Sequence, residues 1–240
     1  MTIYIGSKPP RFNNEIKFPE IRGFTRIDVT SGSMTRVNYD GVSVPTTQFS
    51  PLLLGPCADD EDVAKYMENL WQYSKVYPQL GHWDDVEKKP SQKWKLWREK
   101  GFSSVKKAKG KEKGIRTPPE ISKLKKLCRE NGENWAPKCS WWKEQELDYV
   151  TSRKLMYVPE YSKVVVQTKA FQALKNMVSG GVNILIIDYD GPDPLAYPNG
   201  MLMDEKNFLD QLNNTSRPFG HGYVVAALLA GLDIDSLCKQ

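Results

Sequence analysis

The residues best suited to chemistry in this chain lie in one short segment, residues 67–75. On a helix, Glu68, Gln72 and Lys75 would share one face, because they are spaced by four and three positions. Trp71 lies beside them. A carboxylate, an amide and an ammonium group next to an indole ring could bind a polar ring or a sugar. The same side chains could equally form a solvated helix face, and the segment by itself does not decide between these interpretations.

A second group of polar residues follows a continuous apolar run at residues 182–187, which predicts a strand buried on both faces. The run ends in Asp188, Tyr189 and Asp190, followed by Gly191. Carboxylates at the end of a central strand lie where binding sites tend to form. An Asp-Gly-Pro turn with Asp190 as its cap would explain the same residues without a site.

The third group, Gly220, His221 and Gly222, precedes an apolar helical pattern. Free N–H groups at a helix start can hold an anion, and glycine allows a close approach of the backbone. Tight packing of a buried helix would require the same glycines. A lone histidine such as His221 is more often a structural residue than a catalyst.

Residues 88–126 carry most of the basic excess behind the formal net charge of +5. Trp94 and Trp97 are interleaved with the lysines, and glycines and prolines interrupt any long helix, so we expect a partly mobile excursion. One interpretation is a phosphate-binding patch with stacking residues, and the other is a solvated insertion whose tryptophans pack onto the body. The candidate nucleic-acid-binding residues are Lys106, Lys107, Lys109 and Lys111.

The elements that must position these groups can be predicted from periodicity and turn residues. Strands are expected at residues 2–5, 24–30 and 182–187. Helices are expected at about 59–77, 143–157, 160–177, 203–212 and 224–230. The acidic residues 59–62 would lie at the start of the first helix, Trp141 and Trp142 would precede the second, and Pro159 would break it.

Length and composition set further limits. The 240 residues, 40% of them hydrophobic and 26% charged, fit one large or two small globular domains. No apolar run approaches the roughly 20 residues of a membrane span, and the N-terminus is unlike a signal peptide. The four cysteines form no CxxC pair and only two histidines occur, which argues against structural zinc. We therefore expect reduced thiols in a cytoplasmic protein with no membrane contact.

In order and spacing, these pieces resemble the NADAR superfamily, which includes bacterial YbiA-like proteins. In that family a Phe-Ser segment and a proline precede a helix bearing Glu, an aromatic residue, Gln and Lys. Residues 49–51 (Phe-Ser-Pro), Glu68, Trp71, Gln72 and Lys75 are similar to that motif.

Three looser similarities follow along the chain. They are Trp141 or Trp142 followed by Arg153 and Lys154, the acidic turn at 188–191, and the glycine-rich entry to a terminal helix at 220–224. The resemblance spans residues 45–231, with residues 79–135 as a basic, tryptophan-containing insertion. The family's Trp-Gly near the acidic turn is absent here.

The resemblance implies a single α+β, helix-rich YbiA-like domain over residues 1–240, with a small central sheet. It also implies hydrolysis of an N-glycosidic or ribosyl linkage in an ADP-ribosylated base or a ribosylated nucleobase, without a metal or other cofactor. Cleavage of such a bond needs negative charge near the anomeric carbon and a positioned nucleophile. The expected catalytic residues are Glu68, Lys75 and Asp190. The expected substrate-binding residues are Trp71, Gln72, Trp142, Asp188, Gly220, His221 and Gly222.

Two other functions remain open on the sequence. The same pocket could bind a nucleotide without turnover, while residues 88–126 contact DNA or RNA. Alternatively, the chemistry could serve a transferase that exchanges a base in DNA. The partner in each case would be a nucleotide-type small molecule or a modified nucleic acid.

Overall fold

The computed structural model describes residues 1–9, 17–58, 63–108 and 110–240. It has the expected α+β class, with 39% helix, 21% strand, one small mixed sheet of four strands and several small hairpins. The chain divides into two compact units. Unit 1 comprises Met1–Ser50 and Tyr161–Gln240, and unit 2 comprises Pro51–Glu160.

The elements follow one another along the chain in three stretches. The first stretch contains β1 (Ile3–Ser7), β2 (Phe24–Asp28), β3 (Arg36–Tyr39) and β4 (Val42–Pro45). The second contains β5 (Cys57–Ala58), β6 (Val63–Ala64), α1 (Met67–Tyr73), β7 (Lys75–Val76), β8 (Trp83–Asp84), β9 (Lys89–Pro90), α2 (Gln92–Ser103), β10 (Lys106–Ala108), β11 (Lys111–Lys113), α3 (Pro119–Asn131), β12 (Cys139–Trp142), β13 (Gln145–Leu147) and α4 (Tyr149–Ser152). A π-helical turn (Arg153–Tyr157) then leads to α5 (Val158–Val165), α6 (Lys169–Ser179), β14 (Asn183–Asp188), β15 (Met201–Leu202), α7 (Glu205–Asn213), α8 (His221–Leu229) and α9 (Ile234–Leu237).

The core of unit 1 is a sheet in the order β15-β1-β14-β2. Strand β14 is parallel to both β1 and β2, with Ile186 opposite Ile5 and Ile27. Its side chains from Ile184 to Asp188 are buried, because α8 packs against β1 and β14. The strands predicted at residues 2–5, 24–30 and 182–187 are confirmed. Because three strands run in parallel, their carboxyl ends lie at the same edge of the sheet.

The helix bearing the first candidate group is shorter than predicted. Residues 59–62 lie outside the described residues, and Val63–Ala64 pairs with β5 instead of forming helix. Helix α1 begins at Met67 and ends at Tyr73, because residues 75–76 pair with β12. Lys75 therefore lies on β7, one residue beyond the helix cap at Ser74. The predicted helical i+7 position of Lys75 is wrong.

Trp141 and Trp142 lie on a strand, not ahead of a helix. Strands β12 and β13 form a hairpin with Trp142 opposite Gln145. Its turn residues Lys143 and Glu144 have φ of 48° and 57°, the left-handed region that two-residue hairpins require. Because this turn contains neither glycine nor asparagine, residues 143–157 resembled a helix in sequence.

Pro159 does not break the helical segment around it. The chain passes through α4 and the π turn Arg153–Tyr157 and continues as α5. The π turn changes the hydrogen-bond ladder immediately before Pro159, which has no N–H to donate. The break comes later, at residues 166–168, where Thr168 accepts a hydrogen bond from the Phe171 N–H (3.1 Å) and starts α6. The predicted single helix at 160–177 is therefore two helices.

Several other predictions agree more closely with the structure. Helix α7 covers most of the segment predicted at 203–212 but starts at Glu205, and α8 covers most of 224–230 but starts at His221. The hairpin β3–β4 was not predicted, although its Asp40-Gly41 turn is a known hairpin signal. All four cysteines are buried, and within the described residues none of them forms a disulfide.

The basic segment 88–126 contains more regular structure than the expected mobile excursion. Its described residues form α2, the β10–β11 hairpin and the first half of α3. Trp94 is buried, and its Nε1 donates to the Lys75 carbonyl oxygen (3.0 Å). Trp94 therefore packs inside unit 2 and is not available to stack on bases. No helix in the described part of the chain is long and apolar enough to cross a bilayer.

Candidate functional site

Helix α1 is held firmly in unit 2 by its buried face and by Asn69. Met67 and Leu70 are fully buried. The Asn69 side-chain amide donates to the carbonyl oxygens of Gly101 (3.0 Å) and Ser104 (2.7 Å) and accepts from the Ile115 N–H (2.7 Å). A side chain that makes all these bonds fixes the rotation of α1 about its axis, and therefore the direction of the residues on its other face.

The start of α1 is also determined by residues ahead of it. The Glu68 N–H donates to the Pro51 carbonyl oxygen (2.9 Å), and the Met67 N–H donates to that of Leu54 (2.8 Å). These bonds satisfy N–H groups that a helix start leaves without partners. Glu68 lies in the first turn, where the helix dipole favours a carboxylate.

Glu68, Gln72 and Lys75 form a chain of hydrogen bonds, which we call the relay. Lys75 Nζ donates to Gln72 Oε1 (3.0 Å), and Gln72 Nε2 donates to Glu68 Oε1 (2.8 Å). The amide of Gln72 thus connects the amine to the carboxylate. The predicted alignment of these three residues is confirmed, although a helix cap and a strand, not a longer helix, bring Lys75 into line.

The environment of Lys75 makes its amine easier to deprotonate. Burial lowers the pKa of Lys75 to about 8, opposed by the attraction of Glu68 and assisted by the charge of Lys125. The residue as a whole is partly buried. The amine therefore has a substantial neutral fraction just above neutral pH.

Trp71 completes this cluster and Trp142 does not. The Lys75 ammonium lies 4.8 Å from the centre of the Trp71 ring, which packs edge-on against Tyr157 at 5.1 Å. Trp71 is partly exposed, so its ring can still contact a ligand. Trp142 is only 4% exposed and lies in the core of unit 2. The structure therefore does not offer Trp142 as a stacking surface.

The second and third candidate groups meet in unit 1, at the carboxyl edge of the sheet. We call Asp188, Gly220, His221 and Gly222 the edge cluster. Asp188 is buried, and its carboxylate accepts hydrogen bonds from the backbone N–H groups of Gly222 (2.8 Å) and Tyr189 (2.7 Å). Asp188 thus caps the start of α8. A phosphate at the Gly222 N–H would have to displace this carboxylate.

His221 is enclosed within the same cluster. Its Nε2 lies 2.8 Å from the Val29 carbonyl oxygen and its Nδ1 lies 3.3 Å from Asp188 Oδ2. Because a carbonyl can only accept, Nε2 must carry a proton. A second proton on Nδ1 would turn the contact with Asp188 into an ion pair. This arrangement holds α8 against the sheet, which is the structural interpretation of His221.

The glycines of the edge cluster are needed for space. A Cβ atom at Gly220 would lie 2.5 Å from Asp188 Oδ2 and 2.8 Å from Asp190 Cβ, and one at Gly222 would lie 2.7 Å from Asp188 Cβ. Their absence allows α8 to approach β14 closely. Asp190 itself is exposed at the end of the strand.

The sequence prediction missed Lys8 and Asp28, which lie at the same edge. Lys8 forms an ion pair with Asp28 and donates to Thr30 Oγ1 (3.2 Å). Each residue lies at or just beyond the end of a parallel strand, β1 or β2. The order of parallel strands would have indicated them, but that order is not visible in one sequence.

The candidate nucleic-acid-binding lysines lie on the β10–β11 hairpin of unit 2. Lys106, Lys107 and Lys111 are exposed, and Lys109 lies outside the described residues. Glu112 on the same hairpin lies 2.7 Å from the Lys65 ammonium and 4.0 Å from that of Lys107. Within residues 1–9, 17–58, 63–108 and 110–240, no group of three or more His, Cys, Asp or Glu residues is placed to hold a metal ion.

Comparison with known proteins adds no family to this picture. No family model, no curated protein and no solved structure matches the chain. The functional argument therefore rests on the geometry of the relay, the edge cluster and the basic surfaces.

Proposed function

We propose that this protein cleaves an N-glycosidic or related ribosyl linkage in a nucleotide-type substrate, with Glu68 and Lys75 as the acting groups. The observation that carries the proposal is the relay, which links a carboxylate to an amine whose pKa is lowered to about 8. The similarity of residues 49–51 and 68–75 to the NADAR motif supports the same function and a divergent YbiA-like domain with an insertion at 79–135.

Glu68 would act on charge that develops at the sugar. The base departs with a proton and leaves an oxocarbenium-like anomeric carbon, which a nearby carboxylate stabilises until water adds to that carbon. The bond from Gln72 holds one Glu68 oxygen in a fixed direction. Preorientation of this kind stabilises a transition state because the carboxylate need not reorganise during the reaction.

Lys75 would act as an amine nucleophile. At pH 7 and a pKa of about 8, roughly a tenth of the molecules carry the neutral form. The neutral amine can condense with the aldehyde carbon of an opened ribose, which forms a C=N bond and releases one water molecule. Addition of water to that imine reverses the step and frees the enzyme. The exposed part of the Trp71 ring would contact the base or sugar.

The direct test uses Glu68→Gln and Lys75→Arg in assays on ADP-ribosylated single-stranded DNA and on ribosylated nucleobases. Loss of a positioned acid–base or charged group should lower turnover by about 10²–10⁴-fold. The arginine in Lys75→Arg keeps the positive charge but stays protonated, so it cannot act as a nucleophile. The variant therefore distinguishes a nucleophilic role of Lys75 from a purely electrostatic one. Borohydride added during turnover should link substrate to Lys75 in the wild type only.

Glu133→Gln is a matched control, because Glu133 is exposed in the same unit and remote from α1 in sequence. It should retain wild-type turnover. Absence of activity of the wild type on every such substrate, or full activity of Glu68→Gln on one of them, would end the proposal.

Nucleic-acid binding by the β10–β11 hairpin is a second candidate function, favoured by one observation. Lys106 lies directly opposite Lys113 in the hairpin. Like charges at paired positions destabilise a hairpin, and a bound phosphate backbone would relieve the repulsion. Salt-dependent DNA affinity that falls in Lys106→Gln, with no product formed by the wild type, would favour this function over cleavage.

A further inference from the structure

Helix α3 presents a basic groove outside the relay and outside the β10–β11 hairpin. The groove has a volume of about 510 Å³ and is lined by Thr117, Ser122, Lys125, Lys126, Arg129 and Glu130. We propose that this groove binds the phosphate groups of the nucleotide-type substrate on which the relay acts. The inference deepens the proposed function, because it assigns a separate place to a part of the substrate that the relay does not bind.

The first support is the way α3 is anchored. Ile121, Leu124 and Cys128 are buried in a cluster with Tyr77, and Trp97 and Trp135 pack against that cluster. This buried stripe fixes the rotation of the helix. The groove is therefore part of a rigid surface and does not have to form around a ligand.

The second support is the spacing of the basic side chains. The three basic residues of the groove follow Ser122 by three, four and seven positions along the helix. They are Lys125, Lys126 and Arg129, and together with Ser122 they share one face of α3. Three cations and a hydroxyl in one stripe match the charge and the acceptor oxygens of a diphosphate.

The third support is the balance of charge in the groove. Lys126 lies 3.9 Å from Glu130, and this exposed pair contributes little. Lys125 and Arg129 have no carboxylate within ion-pair distance in the part of the chain that the structure describes. The Lys125 ammonium lies over the Trp135 ring at 4.1 Å, which orders it without neutralising it.

The electrostatics agree with an anion between these groups. Burial and the neighbouring charge of Arg129 lower the pKa of Lys125. A phosphate between Lys125 and Arg129 would remove this repulsion. Lys125 is also close enough to Lys75 for its charge to lower the pKa of Lys75. The groove and the relay therefore lie in the same unit and interact electrostatically.

The experiment compares ADP with adenosine, which differ only in the phosphates, by calorimetric titration of the full chain. Wild-type protein should bind ADP at least about tenfold more tightly than adenosine, the effect of one or two charge-assisted hydrogen bonds. Lys125→Gln and Arg129→Gln should each weaken ADP binding about tenfold and leave adenosine binding unchanged. Lys123→Gln is the matched control, because Lys123 is exposed on the same helix and does not line the groove.

Three results would overturn the inference. They are equal affinity for ADP and adenosine, equal loss in Lys123→Gln and Lys125→Gln, and binding of a single-stranded oligonucleotide that depends on Lys125 while ADP does not bind. Failure of the proposed function gives a different pattern. In that case no substrate is turned over, yet ADP binding still depends on Lys125 and Arg129. The groove would then be a phosphate-binding site in a protein that does not catalyse the proposed reaction.

Discussion

The relay in unit 2 and the edge cluster in unit 1 contain similar groups but use them differently. In the edge cluster, the two oxygens of Asp188 accept the backbone N–H groups of Tyr189 and Gly222, so the carboxylate completes the fold. In the relay, the hydrogen bonds run from one side chain to the next and end at an amine that burial makes less basic. Polar residues next to a buried element therefore mark a candidate site only where their bonds are not required by the backbone.

The largest expected effect tests the structural role of the edge cluster. Asp188→Asn replaces one carboxylate oxygen by an NH₂ group. This group must face a backbone N–H or His221, so buried donors are left without acceptors. We expect a loss of about 3–5 kcal/mol in the free energy of unfolding, because each buried donor left without an acceptor costs about 1–3 kcal/mol. Chemical denaturation of both proteins measures it.

Asp235→Asn is the control for that experiment, because Asp235 is exposed on α9 of the same unit. It should change stability by less than about 0.5 kcal/mol. If Asp188→Asn is as stable as wild type but inactive, the edge cluster is a site and the contrast with the relay is wrong.

The next prediction concerns the relay, where a substitution should increase the free energy of unfolding. Lys75→Met removes a charge that burial disfavours, so the protein should gain about 1–3 kcal/mol at pH 7 while losing its activity. The folded pKa of Lys75, about 8, is below the unfolded value of 10.5, so the unfolded state binds more protons between these values. Wild-type stability should therefore rise relative to the variant from pH 8 to 10.5.

Urea denaturation of both proteins at pH 7 and pH 10 gives this difference directly. The comparison cancels the contribution of other groups, such as the Cys139 thiol, whose pKa burial raises to about 12. A variant that is less stable than wild type at pH 7 would show that Lys75, like Asp188, serves the fold.

Sequence alone predicted the composition of both clusters but not their roles. The apolar run of β14 placed Asp188 at a strand end, because two-sided burial needs a continuous apolar segment. The capping of α8 by that residue depends on a contact between positions 34 residues apart, which one sequence does not show. Hence the structural carboxylate of Asp188 and the proposed catalytic carboxylate of Glu68 look alike in sequence.

The end of α1 could not be predicted for a similar reason. Lys75 leaves the helix because it pairs with Ser140 on β12, far along the chain. The β12–β13 turn also lacks the glycine or asparagine that would have marked it, since Lys143 and Glu144 take the left-handed conformation themselves. The Asp40-Gly41 turn did carry a usable signal. Local propensity thus failed where long-range pairing decided the element.

A smaller expected effect tests whether a lowered pKa is by itself enough to identify a functional residue. Burial lowers the pKa of His82 to about 4, and no hydrogen-bond partner for its Nδ1 lies in the described part of the chain. Below pH 6.5 the unfolded state binds a proton that the folded state rejects, so His82 should reduce stability by about 1 kcal/mol at pH 5.5. His82→Phe should remove this loss and keep full activity at pH 7. Thermal melts at both pH values, together with an activity assay, would show whether His82 differs from Lys75 as expected.

The smallest effect concerns the link between the groove and the relay. The charge of Lys125 contributes to the lowered pKa of Lys75, so Lys125→Gln should raise that pKa. If the neutral Lys75 amine is the nucleophile, the rising limb of the plot of log kcat against pH should move to higher pH in this variant. Lys123→Gln should leave the limb in place.

The shift in pH and the loss of ADP affinity would come from the same residue by different causes. The first depends on the charge of Lys125 at Lys75, and the second on its contact with phosphate. Saturating ADP-containing substrate would bring negative charge to the groove, so the limb of the wild type should also lie at higher pH for kcat than for kcat/KM. If the limbs coincide in the wild type and in both variants, the groove and the relay act independently. The charge of Lys125 would then have no part in the lowered pKa of Lys75.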